Sequence, residues 1–223
     1  GGCSWQHLSY EAQVREKAAI LVHQISKSLK IELSKLEPML KIYPAKNPFG
    51  YRTRLQVRGD HKGLGFFANQ THEIVHTDVC LVAHSSIQKK WTGFLAKKEF
   101  AERPYKIEWA VEKDDKVSEH INRKHASAGF IQVNSEQNDV LKSVVRELAL
   151  GSSSKNTLLD LYGGEGNLST QLSSDFNRIF CVDFETSGHD GSLLDASIPP
   201  KGFFKIRSSV ENFLDEERWK DWK

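Results

Sequence analysis

The chain has 223 residues, 39% of them apolar, and a formal net charge of +2. That length suits one large or two modest domains. No run approaches the roughly 20 apolar residues of a membrane-spanning helix, and the start lacks the form of a signal peptide.

Cys3, Cys80 and Cys181 are too few and too scattered for a disulfide framework, which points to a reducing, cytoplasmic setting. The single methionine is Met39, so the sequence reads as a piece of a longer protein or as a processed chain. The charge is uneven. Residues 1–63 hold 11 Lys and Arg against 5 acids, a balance of +6 that leaves −4 for the remainder. A basic half beside an acidic half suits contact with nucleic acid on one side only; a lysine-rich solvated helix face explains the charge equally well.

Ser9 is placed to cap a helix, with Glu11 in its first turn, and Val14, Ala18, Leu21, Ile25 and Leu29 fall on one face. "NPFG" (47–50) is a turn. "YRTRLQVRG" (51–59) alternates and predicts a strand with Arg52, Arg54 and Arg58 on one side. "LGFFANQTHEIVH" (64–76) predicts a hairpin and "YKIEWAVE" (105–112) another strand, which together make a small antiparallel sheet with a helix. The polar stretch 113–128 marks a domain boundary.

"GFIQV" (129–133) predicts a strand, and Asn134 with Gln137 has capping-box spacing before a helix that buries Val140, Leu141, Val144, Val145 and Leu148. "TLLDL" (157–161) is an apolar strand of the kind buried in parallel sheets. A glycine turn, a helix over "NLSTQLSSDF" (167–176) and a strand "RIFCVD" (178–183) complete a strand–helix–strand unit.

A strand ending in Asp160, glycines at 163, 164 and 166, then a helix start form a nucleotide cradle, because glycine lets the backbone approach a ligand closely. Asp183 ends the next strand and is placed to accept the ribose hydroxyls of an adenosine. Gly164, Gly166 and Ser169 do not make G-x-G-x-x-G, and no G-K-[ST] follows, so neither the dinucleotide fingerprint nor the P-loop applies. A plain glycine-rich turn after a buried strand is the bland alternative.

The order Asp, three residues, Gly, one residue, Gly resembles the first motif of class I S-adenosylmethionine methyltransferases. "LLDLYGGEGNLS" (158–169) looks more specifically like that motif in the RNA uracil-5 methyltransferases, with Gly163, Asn167 and Leu168 replacing the family's cysteine, threonine and phenylalanine. "GFIQVNSEQ" (129–137) resembles the family's F-x-Q-x-N stretch, and "GGCSWQHLSYEAQVREK" (1–17) its C-G-G-C-x-x-Q-H segment without the first cysteine. Further matches run in the family's order to about residue 185.

The resemblance implies an α/β fold: a partial class I (Rossmann-like) methyltransferase sheet over residues 127–223, preceded at 1–126 by a small α+β domain with an antiparallel sheet. It implies a monomer that binds S-adenosylmethionine through Gln132, Asp160, Tyr162, Gly164, Gly166 and Asp183 and acts on ribosomal or transfer RNA; the basic strand pattern offers Arg52, Arg54 and Arg58 as the RNA phosphate contacts. In members with an iron–sulfur site, Cys3 and Cys80 correspond to two of the four thiolates of a 4Fe-4S cluster. Cys181 reads as core packing. The family's nucleophilic cysteine lies in an S-C-N-P segment after a D-P-P-R motif; neither occurs here, so no catalytic residue is assigned and the chain alone is expected to be inactive. Residues 184–202 lack the helix expected there, and Ser208 and Ser209 stand where an acid is often found near the adenine. Two other readings stay open: a non-catalytic RNA-binding relative, and a different adenosine-ligand enzyme on a doubly wound fold.

Overall fold

The computed structural model describes residues 5–97, 100–122, 132–190 and 201–215. The chain divides into two compact units, one running to Lys124 and taking in Val133–Glu136, the other formed by His125–Gln132 and Gln137–Lys223.

The first unit opens with helix α1 (Tyr10–Leu29). Ser9 caps it, its Oγ accepting from the Ala12 N–H at 3.2 Å. The covered line on α1 runs through Val14, Ala18, Val22 and Ile25, and only Val22 is fully buried. Leu21 and Leu29, expected on the buried face, are exposed instead. The true helical period of 3.6 carries the contact line from Ala18 to Val22, past Leu21. A short helix α2 (Leu33–Leu36) follows.

Five antiparallel strands come next: β1 (Arg54–Asp60), β2 (Gly63–Phe67), β3 (Ile74–His76), β4 (Tyr105–Val111) and β5 (Val117–Ile121), in the order β3-β2-β1-β4-β5. The expected hairpin is β2–β3. Strand β5 lies inside the stretch expected to be a boundary. Its residues are only half-buried or exposed, so its sequence carries no strong apolar alternation.

Helix α3 (Ser85–Lys97) covers one face of this sheet. Leu55 and Val57 of β1 face the same core as their register partners Trp109 and Ile107 of β4. Trp91 of α3 and Trp109 are both fully buried, with ring centroids 5.9 Å apart. Each ring removes enough apolar surface for about 4–6 kcal/mol of transfer free energy before entropy is subtracted.

The second unit holds helix α4 (Ser135–Leu150), of which its first two residues belong to the first unit, and strands β6 (Thr157–Leu161), β7 (Arg178–Asp183), β8 (His189–Asp190) and β9 (Gly202–Arg207). The strands are parallel in the order β6-β7-β9-β8, and helix α5 (Val210–Asp215) ends the described chain. Ile179 to Val182 of β7 are fully buried, and Phe180 stacks on Phe204 of β9 at 5.4 Å. The fold is thus α/β, with an antiparallel sheet in the first unit and a Rossmann-like parallel sheet in the second.

Four expectations are corrected here. Strand β6 is half-buried throughout, because among the described residues it forms an edge of its sheet. Leu141 and Leu148 of α4 are exposed, while Val140, Val144 and Val145 are half-covered. The helix expected over 167–176 is a set of turns around a single 3-10 turn, Thr170–Leu172. Hydroxyls explain it: Thr170 Oγ1 bonds the Gly166 carbonyl at 2.7 Å and Ser173 Oγ the Thr170 carbonyl at 2.7 Å, competing with the helical ladder. Of the strand expected over 129–133, residues 129–131 lie outside the described residues, and 132 and 133 are not in a strand.

Candidate functional site

A cavity of about 700 Å³ opens beside the glycine turn of the second unit, within the range of small-molecule pockets. It sits at the carboxyl ends of β6 and β7, where open α/β sheets take their ligands. Gln132, Asp160, Tyr162, Gly164, Gly166 and Asp183 all line it. Sequence reasoning missed Asn138, Lys142, Glu165, Asn167 and Glu185, which line it too. For Asn138 and Lys142 a signal existed: they are four apart on α4 and share the face turned to the glycine loop.

The turn is built around two carboxylates. Asp160, at the end of β6, accepts the Ser169 hydroxyl at 2.5 Å. A Cβ on Gly163 would lie 2.7 Å from the Asp160 carboxyl carbon and 2.6 Å from the Cys181 sulfur, so only glycine leaves room for both side chains. Asp183, at the end of β7, accepts the Gly164 N–H at 2.9 Å and the Glu185 N–H at 2.8 Å. Each Asp183 oxygen keeps accepting capacity for a ligand hydroxyl. Gly164 and Gly166 have φ of +56° and +83°, a region glycine enters without cost. Tyr162 also has a left-handed φ of +58°; its exposed ring is held by a 2.6 Å hydrogen bond from its hydroxyl to Glu211 of α5. That bond pushes the phenol's pKa up and the Glu211 carboxyl's down.

Glu165, at the tip of the turn, accepts the Ser187 N–H at 2.7 Å and hydroxyl at 2.8 Å and pairs with Lys205. The Lys205 ammonium first, then the Ser187 donors, hold its carboxyl down at about 2.

Cys181 is fully buried, and its thiol donates toward the Gly164 carbonyl at 3.6 Å. Burial, then the neighbouring Asp160 charge, pushes it up to about 12. A thiol so protonated is no nucleophile near neutral pH, in keeping with its reading as a packing residue.

In the first unit, Cys80 is half-buried, with its N–H donating to Gln88 at 3.0 Å. It lines a cavity of about 400 Å³ together with Arg52 and Gln6. Cys3 lies outside the described residues. Among the described residues no three metal-ligating side chains converge. Cys80 alone is one thiolate where a 4Fe-4S cluster takes four.

The three arginines do not form one open face. Arg54 is 9% exposed, with Nε and Nη2 at 3.0 and 2.5 Å from Oε1 of the equally buried Glu108. Its charge is therefore turned inward, and this corrects its placement on the RNA-facing surface. A bend at Thr53 breaks the alternation before β1, so Arg52 lies in a separate bridge to Ala83 and Asn134, its Nε buried without a partner. Arg58 lies over the Phe67 ring at 4.6 Å. No described helix is long and apolar enough to cross a membrane.

No protein-family model matches the chain. It is 31% identical over 218 residues to an uncharacterized RNA methyltransferase of Bdellovibrio bacteriovorus, a match over 96% of the chain and 54% of the relative. It is 38% identical over 95 residues to a 23S rRNA uracil-C5 methyltransferase of Pseudomonas fluorescens, covering 40% of the chain and 20% of the relative. Among solved structures it is similar to the Pyrococcus abyssi tRNA (uracil-54, C5)-methyltransferase in complex with S-adenosyl-L-homocysteine. That likeness has a TM-score of 0.58 at 17% identity and covers 81% of this chain and 58% of the other. At 17% identity it speaks for the fold alone. The chain spans about half the length, or less, of the curated relatives it matches.

Proposed function

The chain belongs to the RNA methyltransferase family, and on that premise we propose that it is the cofactor-binding portion of an enzyme that methylates C5 of a uridine in ribosomal or transfer RNA. The observation carrying this reading is the convergence of Gln132, Asp160, Gly164, Gly166 and Asp183 on one cavity of suitable size at the strand ends.

The donor set fits S-adenosylmethionine, which when bound supplies an electrophilic methyl group on sulfonium sulfur. Asp160, held by Ser169, would accept from the amino group of the methionine moiety, and Asp183, braced by the N–H groups of Gly164 and Glu185, would accept from the ribose hydroxyls. Gly164 and Gly166 let the backbone lie against the ligand. We assign this role to residues 127–223 and RNA contact to residues 1–126, with Arg58 as the phosphate-facing candidate of the three arginines.

C5 of a neutral uracil is a poor nucleophile, so transfer requires a thiolate adding at C6. Cys181 is not that thiolate, given its burial and raised pKa. The nucleophile is therefore expected in the longer protein. Any 4Fe-4S cluster would need two thiolates beyond Cys3 and Cys80. Free thiols at Cys80 and Cys181 suit a reducing cytoplasm.

Tritiated-methyl transfer by the full-length protein to unmodified RNA tests the proposal. Incorporation as 5-methyluridine, lost in Asp160→Ala, is expected. Incorporation only at a nitrogen or a ribose hydroxyl would reject it.

A further inference from the structure

Helix α4 and the segment after the glycine turn run side by side with a constant offset. Asn138 and Asn167 exchange two amide hydrogen bonds, at 3.0 and 2.8 Å. One helical turn on, the Lys142 carbonyl accepts from Gln171 Nε2 at 2.8 Å. A further turn on, Arg146 donates to the Gln171 carbonyl at 2.9 Å and pairs with Asp175 at 2.6 Å. The outer rungs spend their side chains on closing the ladder. In the middle rung α4 spends only its backbone, the Lys142 carbonyl.

The Lys142 side chain is thus left over on the face of α4 that borders the cavity. Among the described residues its ammonium has no carboxylate partner, whereas Arg146 is paired with Asp175 and Lys205 with Glu165. The rest of the charged lining is acidic: Asp160, Glu165, Asp183 and Glu185. These carboxylates suit an amino group and ribose hydroxyls but repel an anion. A ligand with a carboxylate of its own needs a cation here, and Lys142 is the cation in the lining.

Resting on the cofactor reading above, we infer that Lys142 is the specificity-determining anchor for the carboxylate of the cofactor's amino-acid moiety. It separates intact amino-acid-bearing adenosine thioethers from otherwise identical decarboxylated ones. The Asn138–Asn167 pair positions it by fixing α4 against the turn.

The test is calorimetric binding of two probes to the purified chain: S-adenosylhomocysteine, and its decarboxylated analogue carrying a 3-aminopropyl thioether. The parent should prefer S-adenosylhomocysteine by about tenfold or more, the scale of one charge-assisted hydrogen bond. Lys142→Gln should lose that preference by weakening S-adenosylhomocysteine alone, and Lys142→Arg should keep most of it. Unchanged S-adenosylhomocysteine affinity in Lys142→Gln overturns the lysine assignment and leaves the cofactor reading standing. An equal loss for both probes overturns it too, because it reports a distorted pocket. If the parent binds neither probe, the cofactor reading itself fails and takes the inference with it.

Discussion

Gly163→Ala puts one methyl group where two side chains already meet. The added carbon would lie 2.6 Å from the Cys181 sulfur and 2.7 Å from the Asp160 carboxyl carbon. Neither can withdraw cheaply: Cys181 is fully buried in the central strand, and Asp160 is tied to Ser169 at 2.5 Å. Overpacking of this kind costs about 1–3 kcal/mol. It also pushes Asp160 out of the position in which it lines the cavity. Amide hydrogen exchange of β6 and β7, read by mass spectrometry, follows this unit separately from the other. Faster exchange is expected in Gly163→Ala. Cys181→Ala added to it should recover part of the loss, a coupling of about 0.5–3 kcal/mol expected of touching groups. Ligand binding should recover less than stability, since the Asp160 conflict remains. Unchanged exchange in Gly163→Ala, or a double variant no better than the sum of the singles, would refute the packing argument.

Arg54→Ala should destabilise the first unit by about 3–5 kcal/mol, because it strands Glu108 in the interior. The paired change Arg54→Met with Glu108→Leu should cost far less, and thermal melts of both variants decide it. Glu165 has its folded pKa lowered to about 2 from an ordinary 4.5, so its contribution is full above 4.5 and is lost as pH falls toward 2. Lys205→Met should flatten that part of the acid-denaturation profile of the second unit; because the pair is substantially solvated, the effect is about 1 kcal/mol or less. Cys181 should resist iodoacetamide at pH 8 in the native chain and react once urea unfolds it, as peptide mapping would show; rapid native alkylation contradicts its burial.

Much of the second unit was legible because its signals are local. The apolar run 178–183 became β7 and "TLLDL" became β6 at the expected bounds, and the glycine turn followed. All six residues expected around a ligand line one cavity; strand ends and positive-φ turns fix five of them through the backbone, and Gln132 lies just before α4. The helix over 167–176 was not legible as turns, because its hydroxyls bond carbonyls that a helix would use. The spacing of Asn138 and Lys142 hinted at a shared face, but the role inferred for Lys142 depends on which rungs of a tertiary ladder are already closed. The arginines misled for a related reason. Alternation places Arg54 on a face but does not reveal that Glu108, from another strand, waits on that same face. Helix α3 was readable in hindsight from Ile87, Trp91, Phe94 and Leu95 at helical spacing.

The central claim is that the cavity at the ends of β6 and β7 holds the cofactor of a methyltransferase. Equilibrium binding of S-adenosylhomocysteine to the purified chain, with S-adenosylmethionine and NAD as competitors, tests it most directly. The account predicts saturable binding that is displaced by S-adenosylmethionine, is unaffected by NAD and is weakened in Asp183→Ala. No binding, or displacement by NAD in place of S-adenosylmethionine, would contradict it.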